Sequence, residues 1–155
     1  MEPVPEPLRF FGSVGDCDIL DWAWVEAELQ RAGTYWVVTR SAGHPHPRPV
    51  WGVWNDRTLL LSVGSPVIAR ALQDDPTITV HLESGTDVVI IEGRATGSCV
   101  DPAILALYDT KYDWSYTIDE YGPLTTVTPS VVMAWRSTDW AGRGGFASAG
   151  RFRLS

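Results

Sequence analysis

The sequence is poor in lysine, methionine, cysteine and histidine, and it has no long hydrophobic run. One of its 12 basic residues is lysine, and there are two methionines, two cysteines and three histidines in 155 residues. Cys17 and Cys99 stand far apart with no CxxC, which fits apolar fillers better than a disulfide or a metal pair. His44, His46 and His81 lack the helical i, i+4 spacing and the nearby cysteines of a zinc site, so no metal is expected. The apolar stretches, such as 58–63 and 88–91, are strand-sized and far short of the ~20 residues that a membrane span requires. Residues 1–15 lack the basic start and apolar run of a signal peptide. A soluble, cytoplasmic protein with no membrane partner is the expectation.

Positive charge is also in deficit. Twelve basic residues face 19 acidic ones, giving −7, and without a basic face nucleic acid is not an expected partner. The imbalance is uneven: −6 over residues 1–30, −4 over 31–135 and +3 over 136–155. GxSxG, HExxH, P-loop and GxGxxG motifs are missing, as is a Cys–His nucleophile signature, and no pair of carboxylates stands out. A hydrolase is therefore poorly supported, and an enzyme of this composition would rely on a bound cofactor for its chemistry.

What the chain does have is apolar and aromatic surface. It is 45% apolar, with 17 aromatics that include eight tryptophans, enough for one folded domain with a real core. Three prolines in the first seven positions mark residues 1–15 as an irregular arm. Asp16 or Asp18 is placed to cap a helix running to about Arg31, with Ile19, Trp22, Val25 and Leu29 as its apolar stripe. Residues 34–40 (TYWVVTR), 46–54 and 58–63 read as an antiparallel meander, with turns at 41–45 and 55–56. Ser65 suits a helix N-cap and Pro66 the first helical position, for a helix to about Gln73. Residues 77–83 and 87–98 read as strands, with Gly93 as a bulge. Asp101-Pro102 opens a helix to about Tyr112, and 131–137 and 145–154 are the last strand candidates, separated by a glycine-containing loop at 138–144. Six or seven mostly antiparallel strands with helices at the edges predict a small closed barrel, which removes exposed sheet edges.

Three constellations carry chemical interest. In 62–70 (SVGSPVIAR) a strand ends at a helix start, where free N–H groups and Arg70 suit an anion. The same residues also suit an ordinary capped helix with Arg70 in solvent. In 46–54 (HPRPVWGVW), Trp51 and Trp54 point to opposite faces, and Gly52 reads either as bare backbone open to a flat ligand or as a bulge between two packed tryptophans. Trp22, Trp24, Trp36, Trp114, Trp135 and Trp140 complete a surplus that fits either a tryptophan-rich core or a subunit interface.

The helix-to-strand entry WAWVEAELQRAGTYWVVTR, the meander GHPHPRPVWGVWNDRTLLLSVGS, the stretch ALQDDPTITVHLESGTDVVIIEGRA and KYDW at 111–114 occur in this order. Together they resemble the pyridoxamine 5′-phosphate oxidase-like, FMN-binding split-barrel superfamily, in its flavin/deazaflavin oxidoreductase branch. The resemblance covers about residues 21–114 and, more loosely, SAGRFR at 148–153. It implies a single split β-barrel domain over residues 16–155, in a homodimer with two cofactor sites at the subunit interface. The cofactor would be FMN or the deazaflavin F420, passing hydride to or from a small organic substrate. The ring would meet Arg48, Val50, Trp51, Gly52 and Val53. Ser62, Val63 and Gly64 would line the ribityl side, and Ser65 with Arg70 would face the phosphate. Trp114, Arg151 and Arg153 would approach from the partner protomer. Where relatives commonly read Ser-Arg-Lys-Ala-Arg-Asn-Leu, this chain has two apolar residues, Val67 and Ile68, at the basic positions. The resemblance also leaves room for a non-catalytic flavin carrier and for a haem protein with His44, His46 or His81 as axial ligand.

Overall fold

The computed structural model describes residues 1–10, 13–14, 17–137 and 146–154. The candidate cap Asp16, Trp140 and the loop 138–144 lie outside them. In chain order the elements are β1 (Pro5–Glu6), β2 (Arg9–Phe10), β3 (Ser13–Val14), β4 (Asp18–Ile19), α1 (Trp22–Arg31), β5 (Tyr35–Ser41), β6 (His44–Asn55), β7 (Thr58–Ser62) and α2 (Pro66–Asp74). They continue with β8 (Thr77–His81), β9 (Asp87–Cys99), α3 (Pro102–Tyr112), α4 (Ile118–Tyr121), β10 (Leu124–Ser137) and β11 (Phe146–Arg153).

The strands close into the antiparallel split barrel that the sequence pattern implies. The ring runs β10–β7–β6–β5–β8–β9 and returns to β10. β10 spans the split: one edge pairs with β9 along its length, while the other takes β7 at 125–127 and β11 at 131–137. β1 adds antiparallel to β11 and β4 adds parallel to it, so the N-terminal arm is not wholly irregular.

Side-chain alternation sorts the residues into two packing zones. Val37, Leu59, Leu61, Val80, Ile91, Val132 and Phe152 point inward, and Trp22, Val25 and Leu29 of α1 pack into the same core. Outside the barrel, Val53 and Leu60 of the β6–β7 hairpin meet Ile104 and Tyr108 of α3, together with Tyr116 and Leu124. This second cluster fixes α3 on the outer face of β6. Asp101 caps α3 by accepting from the Ala103 N–H at 2.9 Å. Asp101→Ala should cost about 1 kcal/mol, read as a shift in the denaturant midpoint without a change of slope.

Several boundaries differ from the sequence reading. α1 starts at Trp22 behind the N-cap Asp21, not at 16–18, because Asp18–Ile19 pairs with β11 and the Leu20 N–H bonds to Ala149 O. Ile19 is accordingly exposed and leaves the helical stripe. The bulge opposite Gly93 belongs to β10, at Ser130. Gly93 is needed for a different reason, since a Cβ there would lie 2.6 Å from Thr128 O. Cys17 and Cys99 are both free and only half-buried, so neither is a full core filler.

Candidate functional site

On the outer face of the barrel, where β6 leaves the α3 contact, lies a cleft of about 430 Å³. One wall is β6, from Arg48 through Trp51. The base is the end of β7 and the start of α2: Ser62, Gly64, Ser65 and Ile68. The far wall is Tyr108, Trp114, Tyr116 and Tyr121. The far wall is built by local hydrogen bonding. Asp109 O accepts from the Trp114 N–H at 3.1 Å, and its carboxylate accepts from the Tyr116 N–H at 2.7 Å. The Tyr116 hydroxyl donates to Gly122 O at 2.9 Å. Asp113 takes the left-handed conformation (φ 50°) that turns the chain at the end of α3. Burial pushes the Tyr108 phenol up to about 12, so it is a neutral hydrogen-bonding group at physiological pH.

Behind the β6 wall sits a polar clamp. Lys111, the one lysine of the chain, donates from Nζ to Gly52 O and to Tyr35 Oη, each at 2.9 Å. Its ammonium lies 4.8 Å from the Tyr35 ring centroid and 5.3 Å from that of Tyr112. The Tyr112 hydroxyl accepts from the Gly52 N–H at 3.0 Å and is 2.9 Å from both Gly33 O and Gly52 O, donating to one at a time. Tyr112 also stacks on Trp51, with centroids 4.5 Å apart and planes 2° from parallel. Two neighbouring residues of α3 thus hold the Gly52 peptide and support Trp51, which Trp114 meets edge-on at 6.0 Å.

Burial lowers the Lys111 ammonium to about 8, and the groups facing it, Tyr35 and Tyr112, are held protonated above their ordinary range by their own burial. Between pH 8 and the unfolded value of 10.5, the unfolded chain binds the extra proton, so this group makes stability rise with pH. Below pH 8 both states carry the charge and its desolvation cost is present in full. Above about pH 10 the two tyrosines act in the opposite sense, because the folded state keeps their protons. Relative to Lys111→Met, the wild type should gain stability as pH rises from 8 towards 10, measured by urea unfolding at several pH values.

Of the residues singled out in the sequence, Arg48, Val50, Trp51, Ser62, Gly64, Ser65 and Trp114 meet at this cleft. Trp114 does so within its own chain. Gly52 is buried, its N–H and C=O are taken by Tyr112 and Lys111, and its missing side chain is required by Leu60 O on β7 rather than by a ligand. Val53 is in the outer core and Val63 packs against the inner one. Arg70 is exposed on α2 and does not line the cleft. Arg151 and Arg153 lie on β11, where Arg153 pairs with Glu6 at 3.1 Å.

Ile68, at an expected basic position, is a core residue and Val67 is exposed. None of the three histidines lines the cleft; His81 stacks on Trp36 and bonds through Nδ1 to Leu82 O. Among the described residues there is no group of three or more His, Cys, Asp or Glu placed to hold a metal. The sequence reading missed Tyr108, Lys111, Tyr112, Tyr116 and Tyr121. Their signal was available, since four of the five tyrosines fall within 108–121 and the first two are one helical turn apart.

No protein-family model and no curated protein matches the sequence. Solved structures do match. An F420 reductase is 18% identical, covering 69% of this chain and 94% of its own, with a TM-score of 0.57. A Clostridium acetobutylicum protein related to general stress protein 26, of the pyridoxinephosphate oxidase family, is 13% identical over 87% of this chain and 97% of its own, at 0.59. An FAD-binding protein of Mesorhizobium loti is 12% identical over 87% and 96%, at 0.55. At such identities the common feature is the fold.

Proposed function

From the pyridoxamine 5′-phosphate oxidase-like split-barrel fold of this chain, we propose that it is a homodimeric flavin- or deazaflavin-dependent oxidoreductase of the cytoplasm. FMN or F420 would lie with its ring in the β6–α2–α3 cleft, and the bound ring would supply hydride transfer to or from a small organic substrate. The observation that carries this reading is the aromatic cleft itself. Trp51, Tyr108, Trp114, Tyr116 and Tyr121 converge on one space next to the start of α2, where the resemblance implies a ring site. The residues fit a planar ring. Trp51 and Trp114 offer apolar faces for stacking, and the stacked Trp51–Tyr112 pair gives the wall rigidity. Ser62, Ser65 and Arg48 would supply the polar contacts that fix its orientation. The tyrosine cluster would shield one face of the ring, and the protein's contribution would be orientation rather than a side-chain acid or base.

The dimer is supported by a face of the sheet. Cross-strand register places Pro49, Trp36, His81, Ile90, Met133 and Arg151 in one outward row, and all but Pro49 are half-buried. Arg151 Nε is buried there with no hydrogen-bond partner among the described residues, a cost that a second protomer would relieve. Sedimentation at twice the 17.1 kDa protomer mass is the expected result. Two free cysteines suit a reducing compartment.

Absorbance spectra of the purified protein with and without FMN and F420, followed by dye or quinone reduction, test the function. A bound chromophore and turnover are expected. No binding of either at concentrations on the order of tens of micromolar would overturn the enzyme reading. Saturable binding without turnover would favour a carrier or sequestering protein, a reading motivated by Val67 and Ile68 at the basic positions.

A further inference from the structure

The cleft is well equipped for a ring and poorly equipped for a phosphate. Among the described residues that line it, Arg48 is the one charged side chain, and its Nη1 already donates to Pro47 O at 2.7 Å. The start of α2 offers little more. Pro66 has no N–H, the Ile68 N–H goes to Ser65 Oγ at 3.4 Å, and the Ala69 N–H goes to Ser65 O at 3.0 Å. That leaves the Val67 N–H as the first-turn donor, where an anion-binding helix start normally offers several. Arg70 is exposed outside the lining, and Ile68 cannot be read as a displaced cation site because it is 1% exposed in the core. Of the tail arginines, Arg153 pairs with Glu6, and neither Arg151 nor Arg153 lines the cleft. Against this, five aromatic side chains surround the space.

We infer that the cleft takes a planar, flavin-type ring on an uncharged chain, with little preference for the phosphate ester. The natural ligand class is then a phosphate-free isoalloxazine or deazaflavin, and affinity comes from ring stacking. This rests on the flavin-type reading of the cleft proposed above. One well-made charged hydrogen bond contributes about tenfold or more in affinity, so a phosphate that is properly held would be obvious.

Full-length protein is titrated with riboflavin and with FMN, and in parallel with F420 and its phosphate-free deazaflavin, at low and at high salt. The expected result is affinities within about threefold for each pair, nearly independent of salt, and an Arg48→Gln variant that shifts both members of a pair equally. The inference is overturned if the phosphorylated form binds more than about tenfold tighter and loses that advantage in salt, or if Arg48→Gln selectively weakens it. If no member of either pair binds, the flavin-type reading itself fails and the inference falls with it, an outcome distinct from tight, phosphate-dependent binding.

Discussion

Replacing Gly52 with valine should lower the unfolding free energy by about 3 kcal/mol and the Tm by roughly 10 °C. A Cβ at this position would lie 2.6 Å from Leu60 O and 2.8 Å from Leu61 Cδ2. The first of these is main chain of the paired strand β7, held in the ladder through Val53↔Leu60 and Gly52↔Leu61, so it cannot swing aside as a flexible side chain would. β6 has to part from β7, and the same displacement pulls Gly52 O from Lys111 and the Gly52 N–H from Tyr112, leaving buried polar groups unpaired. Thermal and urea unfolding measure the loss. A Tm within about 3 °C of the wild type would mean that the strands separate here without cost, contrary to the packing described.

Trp51→Ala and Trp114→Ala should each weaken ring binding about 10- to 100-fold, while a Trp114→Phe variant retains most of it. A ring stacked on an aromatic side chain contributes roughly 1–3 kcal/mol by alanine substitution. Both tryptophans are available for such contact, at 43% and 45% exposure, so their removal leaves no core cavity. The two variants differ in a way that separates binding from folding. Trp51 is stacked on Tyr112, so its loss should also cost about 1 kcal/mol of stability, whereas Trp114, in looser ring contact with Trp51 and Tyr121, should cost less when replaced by alanine. Ligand titration and thermal unfolding of the same preparations give both numbers.

The parts of the fold legible in the sequence are those in which a local pattern and the tertiary environment agree. The β5–β6–β7 meander follows β-branched and aromatic alternation, and the α2 start follows Ser65-Pro66 because the cap is satisfied within the helix itself. Trp51 and Trp54 do fall on opposite faces, one lining the cleft and the other 5% exposed in the core. The early part of α1 misled the reading because Ile19 extends the helical stripe, while pairing with β11, a strand more than 120 residues away, decides its conformation. The 113–123 segment offers little periodicity to read, since side-chain bonds from Asp109 and Tyr116 hold it and its one helix, α4, is a single turn. Seven candidate site residues line one cleft, Trp114 among them from its own chain rather than from a partner, and Gly52 does not. A glycine between two tryptophans looks the same in sequence whether a ligand or a neighbouring carbonyl needs the space. Lys111 was visible as the single lysine in an arginine-rich chain and as the first residue of KYDW at 111–114; that it reaches back to β5 and β6 depends on how α3 docks.

Crystals grown with FMN or F420 test most directly whether the β6–α2–α3 cleft holds a flavin-type ring. The predicted result is a planar ring between β6 and the tyrosine wall, in contact with Trp51 and Trp114 and with few charged contacts at its far end. A ring bound elsewhere on the protein, or none at saturating concentration, would contradict it.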